Sequence, residues 1–144
     1  MEAALAEAEA AARIGEVPVG AAILDAATGR IIARAGNRTR AQSDPTAHAE
    51  ILAIRAACAA LGTDRLPGLD IFVTLEPCPM CAAAISFARL RRLYYGAADP
   101  KSGGVEQGPR MFEHPQCHHR PDIYAGLAET RSSRLLAEFF ARLR

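Results

Sequence analysis

The chain has 144 residues, 50% of them hydrophobic and 23% charged, with a net charge of +1 from 17 basic and 16 acidic side chains. That length and composition suit one domain, residues 1–144, with a proper core, and exclude a disordered chain. The charge balance gives no bulk basic excess, so any nucleic-acid contact must come from a local patch.

Residues 2–14 are Ala-rich with Glu and Arg among them and stop at Gly15, which predicts a helix. Pro18 to Leu24 reads as a buried strand, Asp25 to Gly29 as a turn, and Arg30 to Ala35 as the returning strand of a hairpin. Both strands hold small residues, so something packs closely over them. Gly36 to Ser43 is polar and lacks an apolar period, which makes it a loop. Asp44-Pro45 predicts a helix start, with Asp44 as the cap and Pro45 in the first turn. That helix should run from about 45 to 61 and stop at Gly62, with Ile51, Ile54, Cys58 and Leu61 on one face.

Leu69 to Leu75 is nearly all apolar and β-prone, the pattern of a central strand buried on both faces. Glu76-Pro77 breaks it. A helix follows from about 79 to 89, then a strand from Arg91 to Gly96, and that order implies a right-handed parallel crossover. From Ala97 to Pro121 the pattern dissolves into Gly, Pro, His and charge, with a short helical turn near 107–112; a loop of this length is usually functional. Ile123 to Ala125 reads as a brief fifth strand. The final segment, about 128–143, is amphipathic, with Leu135, Leu136, Phe139, Phe140 and Leu143 as its apolar stripe.

Of four cysteines, Cys78 and Cys81 form a C-x-x-C pair, while Cys58 and Cys117 are isolated, which is not a disulfide framework. No apolar run is long enough to span a bilayer, and the first residues carry acids where a secretion signal needs bases. These features lead us to expect a soluble, cytoplasmic protein. Sixteen of the 17 basic residues are Arg, the side chain suited to bidentate phosphate contacts.

The chemistry concentrates in His48-Ala49-Glu50 and Pro77-Cys78-Pro79-Met80-Cys81. One imidazole and two thiols make a donor set that suits zinc. Cys78 and Cys81, three apart at a helix start, share a face, and the helix N-terminus favours thiolates. A closed structural site would need a fourth ligand. Cys58 is a poor one, about 15 Å along the helix axis from His48; His114, Cys117, His118 and His119 remain open by position. A carboxylate at Glu50, two residues from a ligand, instead fits a general acid/base for a water activated by the metal. Residues two apart on a regular helix point away from each other, so Glu50 should not be a co-ligand.

The pattern His-x-Glu followed by Pro-Cys-x-x-Cys is the signature of zinc deaminases acting on nucleobases. With Glu16-Val17-Pro18-Val19-Gly20, Asp44-Pro45-Thr46-Ala47-His48-Ala49-Glu50-Ile51 and Val73-Thr74-Leu75-Glu76-Pro77-Cys78, the whole chain resembles the bacterial tRNA-specific adenosine deaminases of the cytidine/deoxycytidylate deaminase superfamily. The resemblance implies a three-layer α/β/α sandwich around a mixed five-stranded sheet, one Zn2+ per subunit and a homodimer. It also implies adenosine-to-inosine conversion at the wobble position of a tRNA anticodon. Metal ligands would be His48, Cys78 and Cys81, with Glu50 catalytic. Asn37 would hydrogen-bond the base, Asp99 and Lys101 would sit at the nucleic-acid rim, and Phe139, Phe140 and Arg142 would lie on the helix near the RNA backbone. The stretch Gly103 to Arg110 departs from the small-residue Gly-Ala-Ala-Gly-Ser loop of that family. Two rival readings follow: a deaminase of free guanine, cytosine or a related base, and a zinc-stabilised module that only binds RNA.

Overall fold

The computed structural model describes residues 1–144. In chain order the elements are α1 (Glu2–Arg13), β1 (Gly20–Asp25), β2 (Arg30–Gly36), α2 (Ala49–Leu61), β3 (Leu69–Leu75), α3 (Pro79–Phe87), β4 (Arg92–Ala97), a 3-10 turn (Met111–Glu113), β5 (Asp122–Tyr124) and α4 (Glu129–Arg142). The strands form one sheet in the order β2-β1-β3-β4-β5. β1 runs antiparallel to β2 and β3, while β3, β4 and β5 are parallel. The continuous apolar run Leu69–Leu75 is thus the middle strand, as its lack of alternation predicts.

Helices α2 and α3 cover one face of the sheet, α1 and α4 the other. Strand periodicity sorts the side chains. Ala21, Ile23, Ile71, Val73, Leu93 and Tyr95 meet Ala49, Ala53, Ala57, Ala82 and Ile85 in the main core. On the opposite face Phe72, Tyr94 and Tyr124, aligned across three strands, stack with ring centroids 4.5 and 4.9 Å apart. The small residues of β1 and β2 admit α1: a Cβ on Gly20 would overlap the Ala4 carbonyl oxygen and come within 2.6 Å of the Ala8 nitrogen.

Three local expectations are corrected. Helix α2 starts at Ala49, not near Pro45, and His48 is its N-cap in an extended conformation. Asp44 closes a separate turn, its Oδ1 accepting from the Thr46 N–H at 2.8 Å and the Thr46 hydroxyl at 2.7 Å. The α2 face is corrected as well. The alanines Ala49, Ala53 and Ala57 are buried against the sheet, while Ile51, Ile54 and Cys58 are half-buried and Leu61 is exposed. Small side chains let the helix sit close to the sheet, which turns the branched residues outward. α4 also buries less than its stripe suggests: Phe139 is buried, but Phe140 and Leu143 are exposed.

Candidate active site

Two helix starts converge. His48 caps α2 and Cys78 caps α3, with Pro79 in the first helical position, where its missing N–H costs nothing. The His48 Nδ1 lies 3.6 Å from Cys78 Sγ and 3.5 Å from Cys81 Sγ. A tetrahedral zinc, with Zn–S about 2.3 Å and Zn–N about 2.05 Å, spaces its sulfur and nitrogen donors about 3.6 Å apart. The three side chains are therefore already at zinc spacing, all donor atoms within 4.8 Å of one another.

No fourth side chain joins them. Cys117 is tied to the last turn of α3, its Sγ 3.3 Å from Ser86 Oγ. His119 Nε2 donates to the Leu90 carbonyl at 2.6 Å. His114 and His118 are exposed and line a groove beside Phe87. Cys58 sits near the far end of α2. The closed structural site loses its candidate ligands.

Glu50 is only 3% exposed. The spacing difficulty between His48 and Glu50 disappears because His48 lies outside the helix, with φ −74° and ψ 152°, so the helical angle between positions two apart does not apply. Burial pushes the Glu50 carboxyl up to about 7, opposed by its own backbone N–H and by His48. Hydrogen bonding with Cys78 holds the His48 imidazole above its ordinary value. Cys78 is drawn down to about 4, chiefly by the Cys81 thiol and then by His48, while Cys81 is pushed up by Cys78 and by burial. Together these groups form a compact acid–base cluster.

Asn37 stands beside this cluster. It is buried, and its Oδ1 accepts from the Ala49 N–H at 3.0 Å, capping the first turn of α2 in place of Asp44. Asp99 and Lys101 lie on the loop after β4. Asp99 Oδ1 accepts from the Lys101 and Ser102 N–H groups at 3.1 Å each, and both residues line a cavity with Leu136, Phe140 and Leu143 of α4. Two buried glutamates were not singled out from the sequence. Glu16 accepts from the Ala41 N–H at 2.8 Å and the Thr39 hydroxyl at 3.3 Å, fastening the loop before α2. Glu76 receives backbone N–H groups from the loop after β4. The available signal was an acid closing a strand otherwise buried on both faces.

A nitrogen and two sulfurs at zinc spacing, beside a sheltered carboxyl on a mixed five-stranded sheet, mark a zinc-dependent deaminase. The chain belongs to the family defined by the cytidine and deoxycytidylate deaminase zinc-binding region, whose model matches residues 1–97. It is 63% identical to the tRNA-specific adenosine deaminase of Agrobacterium fabrum, over 100% of this chain and 93% of that protein. A solved structure from "Biochemical and Structural Studies of A-to-I Editing by tRNA:A34 Deaminases at the Wobble Position of Transfer RNA" superposes with a TM-score of 0.91 at 64% identity, covering 94% of this chain and 97% of the other. The guanine deaminase of Nitrosomonas europaea superposes at 0.83 with 25% identity, over 96% of this chain and 81% of that one.

Proposed function

We propose that residues 1–144 act as one zinc-dependent domain that hydrolyses adenosine to inosine at the wobble position of tRNA, as a cytoplasmic homodimer. The observation carrying the chemistry is the three-donor cluster with Glu50 sheltered against it. Sequence identity of 63% along the whole chain favours the tRNA substrate over a free base, since the guanine deaminase stands at 25%.

In this reading His48, Cys78 and Cys81 hold the metal. Zinc, when bound, supplies the Lewis acidity that makes water nucleophilic near neutral pH. Glu50 accepts a proton from the attacking water and delivers it to the ring nitrogen next to the amino-bearing carbon. It then carries a second proton to the departing amino group, so that water enters and ammonia leaves. Burial suits Glu50 to this exchange, because it raises the carboxyl above its ordinary value and so eases proton uptake. Asn37 has its carbonyl oxygen committed to α2, so its amide N–H2 is the end left to hydrogen-bond the purine. Asp99 and Lys101 form the rim toward the RNA, beside α4.

The homodimer reading rests on an apolar face. Ile51 and Ile54 of α2, Ala84 and Phe87 of α3 and Ala88 at the α3 C-cap line one surface together with Arg55 and Asp64, and Phe87 is 79% exposed. An exposed aromatic in an apolar patch is a usual protein-contact site. No helix is long and apolar enough to cross a membrane.

The deciding experiment compares an anticodon stem-loop RNA carrying adenosine at the wobble position with free guanine and cytosine. Inosine formation in the stem-loop, with no turnover of free bases, is expected. Guanine turnover with an untouched stem-loop would overturn the substrate assignment.

A further inference from the structure

We propose that Glu76 is the positioning residue for the substrate rim, holding residues 99–107, Asp99 and Lys101 among them, against the turn that carries Cys78. The inference rests on the deaminase reading above.

Glu76 ends the central strand and is 2% exposed. Burying a carboxylate is costly unless its oxygens are hydrogen-bonded. No cation pairs with it. Its Oε1 accepts from the Asp99 N–H at 3.2 Å, and its Oε2 from the N–H groups of Val105, Glu106 and Gln107 at 3.2, 3.0 and 3.0 Å. Three successive backbone donors on one oxygen form an anion-binding concavity, filled here by the protein's own side chain. Residues 98–110 contain no helix or strand. This carboxylate takes four of their backbone donors; the Tyr95 hydroxyl donating to Glu106 Oε1 at 2.7 Å and the Met111 N–H donating to the Gly104 carbonyl at 2.7 Å add further tethers.

The held segment presses on the metal loop. The Gly104 N–H donates to the Pro77 carbonyl at 2.8 Å. A Cβ on Gly104 would lie 2.5 Å from the Pro79 nitrogen and 2.8 Å from the Cys78 carbonyl carbon, so only glycine permits this approach. A Cβ on Gly103 would lie 2.5 Å from Glu76 Oε2 itself. The chain therefore runs carboxylate, loop, Cys78 turn in unbroken contact. Of the site residues only Cys78 lies on the turn that this segment touches; His48 and Glu50 are anchored at the start of α2 and Cys81 within α3. Loosening Glu76 should displace the rim and leave those groups in place, which is a signature in KM rather than in kcat.

Glu76→Gln keeps the side chain's shape but turns one oxygen into a donor, which must face at least one of the four N–H groups. Gly104→Ala pushes the same segment off the Cys78 turn with Glu76 intact. Both variants and wild type are assayed on the wobble-adenosine stem-loop, with zinc content measured and trypsin cleavage followed at Lys101 and Arg110. We expect KM to rise roughly tenfold or more with kcat within about threefold, since a displaced rim costs positioning. Zinc is retained in Glu76→Gln, and in both variants cleavage runs roughly tenfold faster, reporting local release of the loop. Unchanged KM in both variants overturns the proposal. So does a fall in kcat that matches the rise in KM and tracks zinc loss, which would make Glu76 a general brace of the fold. If Glu76→Gln fails to fold, Gly104→Ala decides alone. A wild type inactive on the stem-loop refutes the functional reading instead, and unchanged tryptic cleavage then still refutes the tether.

Discussion

Asn37 offers the sharpest separation of structure from chemistry, because the two ends of one amide have different duties. Its oxygen caps the buried Ala49 N–H at 3.0 Å, and its nitrogen is the end proposed to face the base. Asn37→Ala removes both. Losing a helix-capping acceptor and leaving a buried N–H unpaired costs about 1–2 kcal/mol. For 144 residues the unfolding entropy is about 0.3 kcal/mol/K, so Tm should fall by about 3–6 °C. Asn37→Asp keeps an acceptor at the helix N-terminus, where negative charge is also favoured, so its Tm should fall less than that of the alanine variant. It lacks the N–H2 donor, so stem-loop deamination should be lost in both variants alike. Thermal unfolding of the zinc-loaded proteins and the stem-loop assay check this together. Equal Tm losses for the two variants, or an active Asn37→Asp enzyme, would refute the division of labour.

Three further outcomes are expected. Glu50→Gln should lower kcat roughly a thousandfold, the usual scale for a general acid/base, while zinc content by metal analysis is unchanged. Chelation should lower Tm by about 13 °C relative to protein with zinc a thousandfold above its Kd, since that linkage is worth about 4 kcal/mol; re-addition of zinc should restore wild type but not Cys81→Ala. Phe87→Glu should halve the mass measured by light scattering, by placing a charge in the apolar face of α2 and α3.

Local patterns along the chain marked most elements and the donor residues. Composition, turn signals and helical spacing marked the helices and strands, apart from the start of α2, and the unbroken run Leu69–Leu75 marked the central strand because a strand covered on both faces has no polar side. The donors were equally readable, because spacing within one short segment fixes how Cys78 and Cys81 are presented. What the tertiary structure decided was every pairing between distant segments. Asp44-Pro45 obeys the local rule for a helix start, yet the cap on Ala49 comes from Asn37, twelve residues upstream, and α2 begins later. That shift releases His48 from helical geometry and removes the helical angle that would turn it away from Glu50. Hydrophobicity ranked Ile51 and Ile54 above the alanines for burial, but close approach to the sheet selected the smaller side chains. Glu76 looked like a strand breaker until residues 99–107 folded over it. Periodicity reports which side of an element is apolar, whereas the partner of a buried carboxylate or the distance between two layers depends on atoms that the chain brings together only when folded.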